Sequence, residues 1–89
     1  MFSDNEIMNV AKYLNIDFSK FSFDDFKRGI NIELEHGLVN ELTNVTNNNL
    51  ILTAKIALAH LNEFPNYYNP VYGLKTFERF LKNKINSFD

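Results

Sequence analysis

Cysteine and tryptophan are absent from this chain, and only three Gly and two Pro punctuate its 89 residues. Without cysteine there is no disulfide and no thiolate metal site, so an apolar core must hold the fold. The same absence fits an intracellular protein, and the localisation expected is cytoplasmic. Glycines at 29, 37 and 73 alone leave no Gly-rich phosphate loop. No stretch approaches the roughly 20 apolar residues that span a bilayer. The first residues, Met1-Phe2-Ser3-Asp4-Asn5-Glu6, are acidic and lack an apolar h-region, so neither a secretory signal nor a membrane partner is expected. The sequon Asn44-Val45-Thr46 then reads as a polar loop. A net charge of −2 also argues against nucleic acid, whose recognition rests on cations.

What is present is apolar and aromatic. The apolar types make up 45% of the chain, with nine Phe and four Tyr. A chain of this length supports one domain, spanning 1–89. It buries only about 60% of its unfolded surface. Each buried Phe or Leu contributes roughly 1.5–3 kcal/mol, so a dozen suffice without cross-links. The charge is uneven: residues 1–63 hold five Lys/Arg and nine Asp/Glu, and 64–89 hold four and two. Fourteen Asn, with abundant Lys, Phe and Ile, are the product of AT-rich codons and say nothing of function.

Periodicity predicts an all-α fold, a compact bundle of about four helices. Ser3 with Glu6 forms a capping-box signature, and Ile7, Val10, Ala11 and Leu14 follow at helical spacing, giving a helix over about 4–14 that Asn15-Ile16-Asp17 breaks. After the Phe-rich stretch 18–26, Ser22 caps and Asp24 and Asp25 suit the positive end of a second helix. Phe23, Phe26, Ile30 and Leu34 form its stripe over 23–36, and Gly37 is placed as its C′ residue. Residues 30–34 also alternate as a strand would, but the caps and the longer period favour helix. Gly29 costs roughly 1 kcal/mol relative to Ala and marks close packing with a neighbour. Residues 38–48 read as a loop, with Asn47, Asn48 and Asn49 as candidate caps. Helix three, about 50–64, carries Leu50, Ala54, Ala57, Leu61 and Phe64 on one face and Leu52, Ile56 and Ala59 on another. Only Lys55 and Asn62 mark a wet strip, so it is expected at the centre. Pro65 ends it. Asn69-Pro70 then reads as N-cap and N1 of a fourth helix over about 70–86. Its stripe is Leu74, Phe77, Leu81, Ile85 and Phe88, and Lys75, Arg79 and Lys82 lie opposite.

Both histidines sit in charged tetrads, Glu33-Leu34-Glu35-His36 and His60-Leu61-Asn62-Glu63. Glu33 with His36, and His60 with Glu63, are i, i+3 pairs sharing a helix side. Glu-x-x-His is the spacing used by carboxylate-bridged di-metal bundles, so Glu33, His36, His60 and Glu63 are candidate ligands for a divalent metal such as Zn, Fe or Mn. No other cofactor is expected. Structural hydrogen bonding accounts for both tetrads more simply, because only four or five of six ligands can be named. His60, between Ile56, Ala57 and Phe64 on the wheel, is expected to be half-buried and to need a partner such as Glu33 or Glu63. Tyr67, Tyr68 and Tyr72 cluster beyond helix three, their rings covering the core and their hydroxyls reaching polar partners. In the functional version Tyr67 and Tyr68 form an aromatic binding edge. Phe80 falls off the main stripe of helix four. With Phe88 it marks an oligomer contact or packs on the Phe-rich segment. Ser3, Ser19, Ser22 and Ser87 carry no nucleophile motif.

The segments Glu33-Leu34-Glu35-His36-Gly37, Thr43-Asn44-Val45-Thr46 and Lys55–Tyr68 (KIALAHLNEFPNYY) resemble a small domain-of-unknown-function family of bacteria, phages and giant DNA viruses. Its pattern is E-L-E-H-G, an N-V-T loop and K-I-A-x-A-H-L-x-E-x-P-x-Y-Y. The resemblance covers about 23–75. It departs at Asn66, where Asp is common, and in a more Phe-rich helix four. It implies that the tetrads and the Tyr pair are family features, and it brings no activity.

Three readings follow. The first is a non-enzymatic interaction or accessory module that binds a protein partner or self-associates, favoured by small size, surplus aromatic surface and the lack of a catalytic signature. The second is a metal-binding or hydrolytic domain built on the Glu/His cluster. The third, nucleic-acid binding through Lys75, Arg79 and Lys82, has too small a patch to stand beside them.

Overall fold

A computed structural model describes residues 2–39, 41–44 and 49–87. Its elements are α1 (Asp4–Tyr13), α2 (Phe23–Val39), a 3₁₀ turn (Glu41–Thr43), α3 (Leu50–Glu63) and α4 (Leu74–Ser87). No strand occurs among the described residues. Val45, Thr46, Asn47, Asn48, Phe88 and the side chain of Ile85 lie outside what is described.

Local chemistry sets the ends. Ser3 and Glu6 form the capping box, each side chain accepting from the other's backbone N–H at 3.0–3.1 Å. These bonds, that of the Ser3 N–H foremost, hold the Glu6 carboxyl below the usual carboxylate range. Asn15, at φ 54°, closes α1: Asn15 N–H reaches Lys12 C=O and Ile16 N–H reaches Ala11 C=O. This is the 5→2 and 6→1 pattern of a Schellman motif, with Asn accepting the left-handed conformation that most side chains avoid. A second reciprocal cap starts α2, between Ser22 and Asp25. Asn49 caps α3 through its side chain to Leu52 N–H.

Two predicted boundaries are corrected. Gly37 is not a C′ residue: it lies inside α2, and no described glycine has positive φ. Leu38 and Val39 continue the helix beyond it, and without a left-handed residue the chain does not turn away. Helix four begins at Leu74, a turn later than expected. Asn69 does cap, accepting from the N–H groups of Val71 and Tyr72, but the segment it caps is a turn. There Gly73 N–H returns to Asn69 C=O and Leu74 N–H to Tyr67 C=O. A Cβ on Gly73 would collide with the backbone of Asn66, Tyr67 and Asn69, so only glycine fits this fold-back.

α3 packs on both α2 and α1, more extensively on α2. The core comprises Ile7, Val10 and Ala11 of α1, Phe21, Phe26, Ile30 and Ile32 on or before α2, Ala54, Ala57 and Leu61 of α3, and Tyr68. Phe18 adds a half-buried ring in edge or tilted contact with Phe21, Phe23 and Phe26 at 5.9–6.2 Å. Buried Thr53 donates its hydroxyl to the C=O of the capping residue Asn49 at 2.7 Å.

α3 is thus the central element, yet it is covered on one side only. Ile51, Leu52, Ala59 and Phe64 are exposed and Ile56 is half-buried, so the expected second face is mostly uncovered and Phe64 leaves the core face it was assigned. Two neighbouring helices cannot surround a third, and α4 does not supply the missing layer. Of its residues Leu74–Lys84, only Leu74 and Glu78 are half-buried and the rest are exposed, and Leu74 alone packs on the core.

Candidate functional site

Three side chains from three segments meet between α2, α3 and the turn that follows α3. Tyr68 donates its hydroxyl to Glu33 Oε2 at 2.6 Å. His60 Nδ1 lies 2.8 Å from the Tyr68 oxygen and 3.1 Å from the same Glu33 oxygen. On the other carboxylate oxygen, His36 Nδ1 stands 3.8 Å from Glu33 Oε1. The two helix ends that carry the tetrads therefore converge, on one carboxylate whose side chain is 11% exposed.

Proton counting fixes the donors. Tyr68 has one hydroxyl hydrogen and gives it to Glu33, and a carboxylate has none to offer. A bare Nδ1 would set a lone pair against a carboxylate oxygen. Nδ1 of His60 therefore carries the proton, which leaves Nε2 as the basic nitrogen of the neutral ring. Tyr67 stacks on that ring, centroids 4.3 Å apart and planes 18° from parallel, and meets Tyr68 edge-on at 4.9 Å. Burial pushes the Tyr68 phenol well above its usual pKa, and its bond to the Glu33 carboxylate and that group's charge push it further. The Tyr67 phenol is raised as well, by burial first and then by the charges of Glu33, Glu78 and Glu63.

The reason Tyr68 can lie there is Gly29. A Cβ at that position would sit 2.6 and 2.7 Å from Tyr68 Cε2 and Cδ2, and 3.2 Å from Ala57 Cβ. Gly29 thus seats the phenol ring and lets α2 approach α3. Glu33 is one turn along the same face, about 6 Å further. Its side chain leans back toward the helix N-terminus and meets the hydroxyl. Tyr68 is 2% exposed in consequence.

The expected residues are distributed as follows. Glu33, His36 and His60 come together. Glu63 is exposed at the end of α3, outside these hydrogen bonds. Among the described residues no group of three or more His, Asp and Glu has the arrangement of a metal site; both Nδ1 atoms face the carboxylate itself rather than a shared vacant point. Of the residues expected at a binding edge, Tyr68 is turned inward, Tyr67 is half-buried, and Phe80 is 55% exposed with Lys84 Nζ 5.6 Å from its ring centroid. Phe80 is not packed on the Phe-rich segment.

One polar atom was not foreseen. Asn31 Oδ1 is buried without a hydrogen-bond partner, beside the open groove between α2 and α4 that Arg28, Glu35, Tyr68 and Lys75 also line. Its burial comes only with tertiary packing, and the sequence carries no signal of it. A second cavity, about 410 Å³, is walled by Phe64, Asn66, Tyr67, Tyr72, Gly73, Leu74 and Phe77. Tyr67 is thus shared, one ring face on His60 and the side chain lining this aromatic pocket. No helix is long and apolar enough to cross a membrane among the described residues.

No match was found among curated proteins or among solved structures. A family model does match, described as "Protein of unknown function (DUF5661)", over residues 7–78. That span holds most of α1, all of α2 and α3, the Glu33–His60–Tyr68 cluster and the first turn of α4, and the chain is a member of the DUF5661 family.

Proposed function

We propose that this domain is a non-enzymatic protein-interaction module, and that its contact surface is the aromatic pocket after α3 together with the adjoining side of α4. The observation that carries this reading is the cluster of large apolar side chains left outside: Phe64, Tyr72, Phe77, Phe80 and Leu81, with Phe77 63% and Tyr72 79% exposed. Contiguous exposed apolar surface of this kind marks interaction sites, and aromatic anchors supply most binding energy. The Glu33–His60–Tyr68 cluster supports the same reading in a positioning role. The Tyr68 hydroxyl and His60 Nδ1 are both engaged on Glu33 Oε2, and through Tyr67 and Tyr68 the cluster braces one wall of the pocket.

The test is direct. A neutral amphipathic helical peptide, with Phe and Leu at i, i+3 and i+7 and Gln and Ala elsewhere, is titrated into isotope-labelled protein and followed by amide shifts. Perturbations confined to about residues 64–81, and lost in Phe77→Ser, are expected. Perturbations centred on α1, or none at all, overturn the reading.

A further inference from the structure

α3 rests on α1 and α2, and its opposite face is open to water. There Leu52, Lys55, Ala59, Asn62 and Glu63 are exposed and Ile56 is half-buried. We infer that this face binds a second copy of the chain, the two α3 helices crossing antiparallel at Ala59, with Lys55 of each copy beside Glu63 of the other. The surface shares no residue with the aromatic pocket, so self-association here is independent of ligand docking there.

The residues of the face follow a helix-pairing pattern. Leu52, Ile56, Ala59 and Glu63 succeed one another at 4-3-4 spacing, the seam one helix presents to another in knobs-into-holes packing. α3 carries three titratable side chains, Lys55, His60 and Glu63, and His60 is turned to Glu33. Lys55 and Glu63 remain on the open face, and neither has an ion-pair partner among the described residues. The Glu63 charge reaches the Tyr67 phenol, which is no counter-ion.

The placing of these two charges selects the occupant and its direction. They are eight residues apart, about 12 Å along the axis, and Ala59 stands midway. About a two-fold axis at Ala59, an antiparallel copy brings its Glu63 level with Lys55 and its Lys55 level with Glu63, so two ion pairs form at once. A parallel copy in register would set Lys55 against Lys55 and Glu63 against Glu63, and like charges across an interface are unfavourable. The pivot is also the smallest side chain of the face. With only a methyl at the crossing, the axes can approach to the short end of the usual range of about 8–10 Å, and Leu52 and Ile56 can reach the facing helix. A face with one cation, one carboxylate and a small residue halfway between them is its own complement. Exposed ion pairs add little affinity, so the seam holds the copies and the charges set their direction. One pair of helices covers less than the roughly 1,200 Å² of a stable complex, so the dimer is weak and forms at high micromolar concentration.

The experiment follows the full chain by sedimentation equilibrium from about 10 μM to about 1 mM, where a weak complex is populated. A reversible monomer–dimer equilibrium is expected. Lys55→Glu and Glu63→Lys, both checked for helix content, are each expected to weaken it at least about 10-fold. The charge-swapped double variant Lys55→Glu/Glu63→Lys is expected to recover it, as is an equimolar mixture of the two single variants. Ala59→Cys, in a chain with no cysteine of its own, is expected to form a disulfide-linked dimer on mild oxidation. Leu52→Cys is not, because a pair pivoted at Ala59 holds its two copies of that position about 21 Å apart along the axis.

A chain that stays monomeric throughout overturns the inference. So does a dimer indifferent to both charge reversals, and its loss in Phe77→Ser would move self-association to α4. Equal cross-linking of Leu52→Cys and Ala59→Cys would overturn the antiparallel crossing.

Discussion

Aromatic residues meet opposite fates in two adjoining regions of this molecule. Around Glu33, Tyr68 is enclosed by Gly29, Ala57, His60 and the carboxylate, and almost none of it reaches water. Along α4, Phe77 and Phe80 are more than half exposed. The side-chain types are similar and the neighbours differ. α2 and α3 approach closely because small residues stand between them, and the space left fits one phenol ring. Of the residues Leu74–Lys84 of α4 only Leu74 packs on the core, so among the described residues its apolar side is left largely uncovered. Apolar residues stabilise a fold where a partner surface exists, and elsewhere they become surface available to another molecule.

The comparison is broken most forcefully by cutting the same residue type on both sides. Phe26→Ala, at a fully buried ring, is expected to cost about 3–5 kcal/mol in urea unfolding. Phe77→Ala should change stability by no more than about 0.5 kcal/mol while abolishing peptide binding at the pocket. Equal losses in the two variants would mean that α4 is packed as tightly as the core.

Tyr68→Phe removes one hydroxyl and keeps the ring. It leaves Glu33 and His60 to each other, and the loss is expected at about 1.5–3 kcal/mol, the range for a hydrogen bond to a charged group. The same hydroxyl predicts an alkaline limit. Its pKa in the folded chain is raised above the ordinary value of 10.0. Below that value the phenol is protonated in both states and its contribution is whole. As pH rises past 10 the unfolded chain releases the proton more readily, so stability falls with pH. Tyr68→Phe should flatten that part of the profile measured by chemical unfolding. An unchanged slope would place the phenol outside the network.

A smaller effect is expected at the ring's seat. Gly29→Ala gains about 1 kcal/mol in helix propensity but pushes a methyl into a buried ring, and overpacking costs about 1–3 kcal/mol. A net loss of up to about 2 kcal/mol should appear, and the Gly29→Ala/Tyr68→Ala double variant should lose less than the sum of the two singles. Additive losses would dissociate the glycine from the tyrosine.

Smallest is Glu63→Gln. Glu63 lies outside the hydrogen-bonded cluster, so a change within about 0.5 kcal/mol is expected. A large loss would bring it into the same network as Glu33.

Much of this was legible in the residue order, for physical reasons that can be named. Helix caps act within four residues, so Ser3 with Glu6 and Ser22 could be read directly, and Asn49 as one of three adjacent candidates. Asn15 ended α1 where turn chemistry expected it. The pairing of Glu33 with His36 followed from helical spacing alone, and the need of His60 for a carboxylate followed from its apolar surroundings on the wheel. The choice of Glu33 over Glu63 did not follow, because both lay at suitable positions and only the approach of α2 to α3 selects one. Gly37 and the start of α4 were misplaced because a glycine or an Asn-Pro pair permits a boundary without imposing it. Phe64, Leu52 and Ala59 were expected inside because a helical wheel shows how apolar a face is, and never whether a neighbour covers it.

The sequence by itself therefore determined the helices, their caps, the apolar stripe of each and the convergence-ready carboxylate and imidazole pairs, since these depend on spacing of a few residues. Tertiary structure decided which stripe found a partner. It joined Gly29, Glu33, His60 and Tyr68, up to 39 positions apart in the chain, into one enclosed cluster, and it left α4 with an apolar side facing outward. Contact between distant residues depends on the packing of whole helices against one another, a property that no single stretch of residues encodes.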